Sequence, residues 1–128
     1  LSLPIAMTSV PAGFPSPADD YMDKKLDLNE YLIQHPAATF FVRVKGESMI
    51  QAGIHSGDIL IVDRAIEPED GKVVIAAIDG ELTVKRILKR DGKLYLAAEN
   101  PDYNLIEVSP EQSFIIWGVV TYVIHKVE

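Results

Sequence analysis

The sequence predicts a mostly-β fold: a curled or partly closed β-sheet domain with one short helix, preceded by an extended N-terminal arm. Three observations predict it. Short runs rich in β-branched and aromatic residues recur from Thr39 onward. Turn signals separate these runs about every ten residues. Only one stretch carries convincing helix signals.

The elements follow in chain order. Residues 1–18 hold no charged side chain, and Pro4, Pro11, Pro15 and Pro17 are half of the chain's eight prolines. A residue before proline is pushed toward extended geometry, so this segment is expected to be an arm. Composition shifts at Asp19, which separates the arm (1–18) from a β domain (19–128). Asp27 to Gln34 (DLNEYLIQ) is predicted to be a short helix, with Asp27 as N-cap, Glu30 three residues on and Pro36 as its stop. Strands are expected at Thr39–Val44, Asp58–Asp63, Lys72–Ile78, Glu81–Leu88 and Lys93–Ala97. Phe114–Ile124 is a longer apolar run, read as one strand or as two bent at Gly118. Asp79-Gly80 and Asp91-Gly92 are expected to be tight hairpin turns.

Composition removes several function classes. The 128 residues favour one core. A formal net charge of −7 argues against a free-standing nucleic-acid-binding module, because phosphate contacts need clustered Lys and Arg. An acidic surface can still meet a basic protein. The absence of cysteine excludes disulfides, Cys metal sites and a Cys nucleophile, and suits a reducing cytoplasm. The arm lacks the basic start of a signal peptide, and its prolines break any membrane span, so the protein is expected to be soluble. His35, His55 and His125 are scattered and form no HExxH spacing. No P-loop or GxGxxG is present. No metal or cofactor is therefore expected.

Two segments carry candidate chemistry. Gly46-Glu47-Ser48-Met49 (GESM) follows a predicted strand. A serine there can expose its hydroxyl in a turn beside unpaired backbone N–H groups, the ingredients of a nucleophile next to an oxyanion hole. Taken alone, the segment also fits a plain turn serine or a helix N-cap. In Thr83-Val84-Lys85-Arg86-Ile87 (TVKRI), strand alternation puts Thr83, Lys85 and Ile87 on one face and Val84 and Arg86 on the other. Neither face is purely polar, so one basic residue must lie against apolar neighbours. A snorkelling surface lysine satisfies this pattern. So does a desolvated lysine acting as general base. An ordinary lysine, with a pKa of about 10.4, is neutral in only about one molecule in a few thousand at pH 7, and burial raises that fraction. A neutral amine beside Ser48 could take its proton. Neither segment decides the matter alone.

From Gly13 onward, however, the chain resembles the self-cleaving LexA/UmuD family of serine peptidases. The resemblance rests on AGFPSPA (12–18), DLNEYLIQHPAAT (27–39), GESM (46–49), SGDILIVDRA (56–65), DGELTVKRIL (79–88) and WGVVTYVI (117–124), in order, with Lys85 37 positions after Ser48. The FPSPA and DLNEYLIQHPAAT segments point to the UmuD branch, the accessory subunits of error-prone translesion DNA polymerases. The resemblance implies a LexA-like peptidase fold with 19–128 as its catalytic domain. It implies that Ser48 is the nucleophile, Lys85 the general base, and the backbone N–H groups of Glu47 and Ser48 the oxyanion hole. The bond cut would be Ala12–Gly13, in the chain's own arm. It further implies a cytoplasmic homodimer of the SOS response to DNA damage. Cleavage would be promoted by a RecA–single-stranded DNA filament, and the product would join a Y-family DNA polymerase subunit.

The residues agree with that assignment. Small Ala and Gly side chains allow close approach to a nucleophile, and Val10 and Phe14 can anchor the arm. An uncharged arm can cover a lysine without pairing with it. Tethering raises the effective substrate concentration. The family also includes LexA-type repressors, whose regulatory domain is an alternative, as is a non-catalytic interaction module on the same fold. The chain starts with Leu, so native residues are expected to precede it. The 12 residues before Gly13 are too few for a helix-turn-helix.

Overall fold

A computed structural model of the chain describes residues 1–6, 9–15 and 24–128. The described residues fall into two compact units, Leu1–Gln34 and His35–Glu128. The composition break expected at Asp19 lies outside the described residues.

In the first unit, strand β1 (Ser2–Ile5) pairs antiparallel with β2 (Lys24–Asp27), Ser2 opposite Asp27. Part of the expected arm is thus a strand. Pro4 is tolerated because a two-stranded ribbon leaves one edge of each strand free of ladder bonds. Residues 9–15 are exposed and belong to no helix or strand. Helix α1 (Leu28–Leu32) is capped as expected: the Asp27 carboxylate accepts from the Asn29 N–H at 3.0 Å and the Glu30 N–H at 3.4 Å. The helix is shorter than its sequence signals predict. Ile33 already has extended dihedrals, and no residue of the helix is buried, so no packing holds a further turn.

The second unit is built on one seven-stranded antiparallel sheet. Its strands are β3 (Thr39–Arg43), β4 (Ile59–Asp63), β5 (Val73–Ile78), β6 (Glu81–Arg90), β7 (Lys93–Ala97), β8 (Ile106–Glu107) and β9 (Phe114–Ile124). The spatial order is β3-β4-β9-β5-β6-β7-β8. The sheet is not closed into a barrel. The hairpins at Asp79-Gly80 and Asp91-Gly92 form as expected, with positive φ at all four residues. That is the backbone a type I′ turn requires.

The last strand in the chain, β9, lies between β4 and β5, so the C-terminal run is an inner strand of the sheet. Val74 and Ala76 pack with Ile87, Leu96 and Val119, while Ile75 packs with Val44, Met49, Ile54, Leu60 and Val62. Alternate residues of β5 therefore feed two cores, one on each face. This explains its unbroken VVIAAI sequence. Among the described residues no helix is long and apolar enough to cross a membrane.

Phe114–Ile124 is one continuous strand. Two register shifts interrupt its ladders and leave Trp117 and Thr121 without ladder partners, as in β-bulges. Gly118 sits between them because space is absent. A Cβ there would lie 2.7 Å from Val62 Cγ1 and 3.1 Å from the Asp63 carbonyl oxygen. Valine is stiff at χ1, so neither neighbour yields cheaply. Gly118→Ala should destabilise the protein by about 1–3 kcal/mol. The expected readout is a lower urea midpoint at unchanged m-value.

Candidate active site

Ser48 is displayed by two neighbours in its own motif. Beyond β3, Gly46 turns the chain with φ of 101°, a conformation L side chains rarely adopt. Met49 plugs the core and is 1% exposed. Ser48, between the turn and the plug, stays half-buried with its hydroxyl at a cleft. The loop is also pinned from a second segment. Glu99 N–H donates to the Ser48 carbonyl and Asn100 Nδ2 to the Glu47 carbonyl, each at 2.8 Å. Asn100 is itself buried. The backbone N–H groups of Glu47, Ser48 and Met49 donate no hydrogen bond among the described residues.

Lys85 comes from β6. The first half of that strand pairs only with β5, because pairing with β7 starts at Arg86. Of the two basic residues in TVKRI, Lys85 is the one set against apolar neighbours; it is 8% exposed and opposite Val74. Arg86 turns away, donating to the Gly71 carbonyl at 2.5 Å and pairing with Glu99. Burial holds the Lys85 amine below the ordinary lysine pKa of 10.5.

The fold brings these two side chains together. Lys85 Nζ lies 3.0 Å from Ser48 Oγ. It also donates to Thr83 Oγ1 at 2.7 Å and to the Val84 carbonyl at 3.2 Å. Thr83, Glu99 and Asn100 were not singled out by sequence reasoning. Alternation did place Thr83 on the face of Lys85, and that was the available signal for it. The cleft around the pair measures about 410 Å³ and has apolar walls from Val42, Val44, Ile75, Leu82 and Val84. Ala12 and Gly13 belong to the first unit and are exposed.

A serine hydroxyl held against a desolvated amine, in an apolar cleft of a β domain, is a serine-peptidase arrangement. Comparison with known proteins identifies the family. The family described as Peptidase S24-like matches residues 4–121, and the chain belongs to that family. It is 54% identical to Protein ImpA of Salmonella typhimurium over 116 residues, 90% of this chain and 78% of ImpA. It is 51% identical to Protein SamA of the same species (strain LT2) over 123 residues, 96% of this chain and 85% of SamA. Protein MucA of Escherichia coli is 44% identical over 122 residues, 94% of this chain and 83% of MucA. These relatives put the chain on the UmuD branch of the LexA/UmuD-type peptidases.

Proposed function

We propose that the chain cuts its own Ala12–Gly13 bond with Ser48 as nucleophile and Lys85 as general base. The observation that carries this reading is the 3.0 Å contact between Ser48 Oγ and the buried Lys85 Nζ. When the amine is neutral, Thr83 Oγ1 and the Val84 carbonyl take its two N–H groups. The lone pair is then left for the Ser48 hydroxyl. As Oγ attacks the Ala12 carbonyl carbon, Lys85 takes the hydroxyl proton. The N–H groups of Glu47 and Ser48, which have no acceptor among the described residues, serve the developing oxyanion. Lys85 then returns the proton to the Gly13 nitrogen as the peptide bond breaks. Water, deprotonated by the same amine, hydrolyses the Ala12 ester on Ser48.

The product, residues 13–128, acts in this reading as the accessory subunit of an error-prone Y-family DNA polymerase in the cytoplasm. A RecA–single-stranded DNA filament formed after DNA damage promotes the cut. Membership of the UmuD branch supports this. The exposed Phe41, Ile115, Trp117 and Ile124 of the second unit support association with a second copy. Mass spectrometry of the purified chain at alkaline pH tests the cut: loss of residues 1–12 is expected, and a different terminus rejects Ala12–Gly13.

Thr83 is a positioning residue in this scheme. Thr83→Val should lower the limiting cleavage rate about 10-fold or more, since general-base catalysis depends on the aim of the lone pair. It should also move the pH–rate profile to lower pH, because a hydrogen-bond acceptor that favours the ammonium has been removed. A purely structural role for Thr83 would leave the profile where it was.

A further inference from the structure

The histidines that are scattered in sequence are not scattered in the fold. The β4–β9 ladder ends with Ile59 opposite Ile124. One step further along the same register sets Asp58 against His125, 67 positions away, and His125 Nδ1 lies 2.6 Å from Asp58 Oδ1. His55 reaches the same carboxylate through a turn. Its N–H donates to Asp58 Oδ2 at 2.8 Å, and the Asp58 N–H donates back to the His55 carbonyl at 3.0 Å. Gly57, at φ of 94°, lets the turn close.

The result is two imidazoles on one carboxylate. The rings are 4.9 Å apart, and the three ligand atoms lie within 4.8 Å of one another. Asp58 is 4% exposed, whereas both histidine side chains are about half open to solvent. The carboxylate is held by these hydrogen bonds and is nearly closed to solvent.

His55 Nδ1 is 3.8 Å from Asp58 Oδ2, beyond hydrogen-bond reach. Ligands about 2.0–2.2 Å from one tetrahedral zinc-like ion lie about 3.3–3.6 Å from each other, so His55 needs to approach Asp58 only slightly to share an ion with it. We propose that His55, Asp58 and His125 bind a divalent transition-metal ion of the zinc type, with water in the remaining position. Two imidazoles and one carboxylate select such an ion over calcium or magnesium, which prefer oxygen ligands. His125 must retreat from Asp58 by under ~1 Å, at a half-exposed side chain beyond the end of the ladder. Its proton moves to Nε2 or to solvent, and the freed Nδ1 lone pair goes to the metal. No group of the peptidase scheme takes part. The ion would tie the end of β9 to the start of β4.

The test is calorimetric titration of the metal-free chain with zinc sulfate, using Ser48→Ala protein so that the chain stays whole. One zinc per chain is expected, with a raised thermal midpoint. Groups that merely support a ligand are worth ~10–100-fold in metal affinity, so His55→Gln and His125→Gln should each weaken binding at least ~100-fold. Both positions are solvent-facing, and circular dichroism should show both variants folded. His35→Gln should bind as the parent does, because His35 pairs with Asp63 instead. The proposal is overturned if the parent binds no zinc, if either cluster variant keeps parental affinity, or if His35→Gln loses as much.

Discussion

Ser48→Ala protein held at about pH 9–10, where more lysine is neutral, should keep its full mass while the parent chain loses residues 1–12. Removing the nucleophile of a hydroxyl–base pair costs at least ~10⁴-fold in rate, because the remaining groups cannot substitute for it. Tethering does not rescue the variant, since an arm at high effective concentration still needs an attacking atom. The parent's rate should climb with pH as the neutral fraction of Lys85 grows. Its inflection should fall below 10.5, because burial holds the amine below that value. Alanine in place of Ser48 only shortens a half-buried side chain, so the fold should survive. Cleavage of Ser48→Ala at the parental rate would remove Ser48 from the chemistry, whatever its distance from Lys85.

Much of the fold was legible because its determinants are local. The β-branched runs and the two Asp-Gly turns specify strands and hairpins within a few residues, and the expected spans match to within one or two positions. What was not legible depends on partners. β8 is two residues long and exists only because Ile106 and Glu107 pair with β7. The course of β9 is set by bulges whose positions follow from β4 and β5, not from its own sequence. The site divides the same way. Gly46, Ser48 and Met49 form a readable motif, and alternation showed that one basic residue must face apolar groups. Strand alternation could not say which of Lys85 and Arg86 that would be; the family resemblance pointed to Lys85, and the acceptors that draw Arg86 to Gly71 and Glu99 supply the physical reason. The His55–Asp58–His125 cluster was hidden because it is a consequence of strand register.

Lys85→Met should abolish cleavage, by ~10⁴-fold, and still yield a protein more stable than its parent at neutral pH. The two effects share one cause. The folded chain buries an amine that prefers water when charged, and the lowered pKa records that preference. At neutral pH the lysine is protonated in the unfolded chain, so folding must desolvate the ammonium or release its proton. As pH rises through the interval between the folded-state pKa and 10.5, the unfolded chain binds more protons than the folded one. Stability of the lysine-bearing protein therefore rises with pH across that interval, and the handicap is gone above it. Methionine carries no such dependence and fills a similar volume against apolar neighbours. The comparison is clean in a Ser48→Ala background, where neither protein can cut itself. Urea denaturation of Ser48→Ala and of Ser48→Ala with Lys85→Met, repeated from neutral to alkaline pH, should show a gap that favours methionine and closes as pH climbs. A gap that stays flat, or that widens with pH, would mean that Lys85 is an ordinary solvated lysine, and the general base would have to be sought elsewhere.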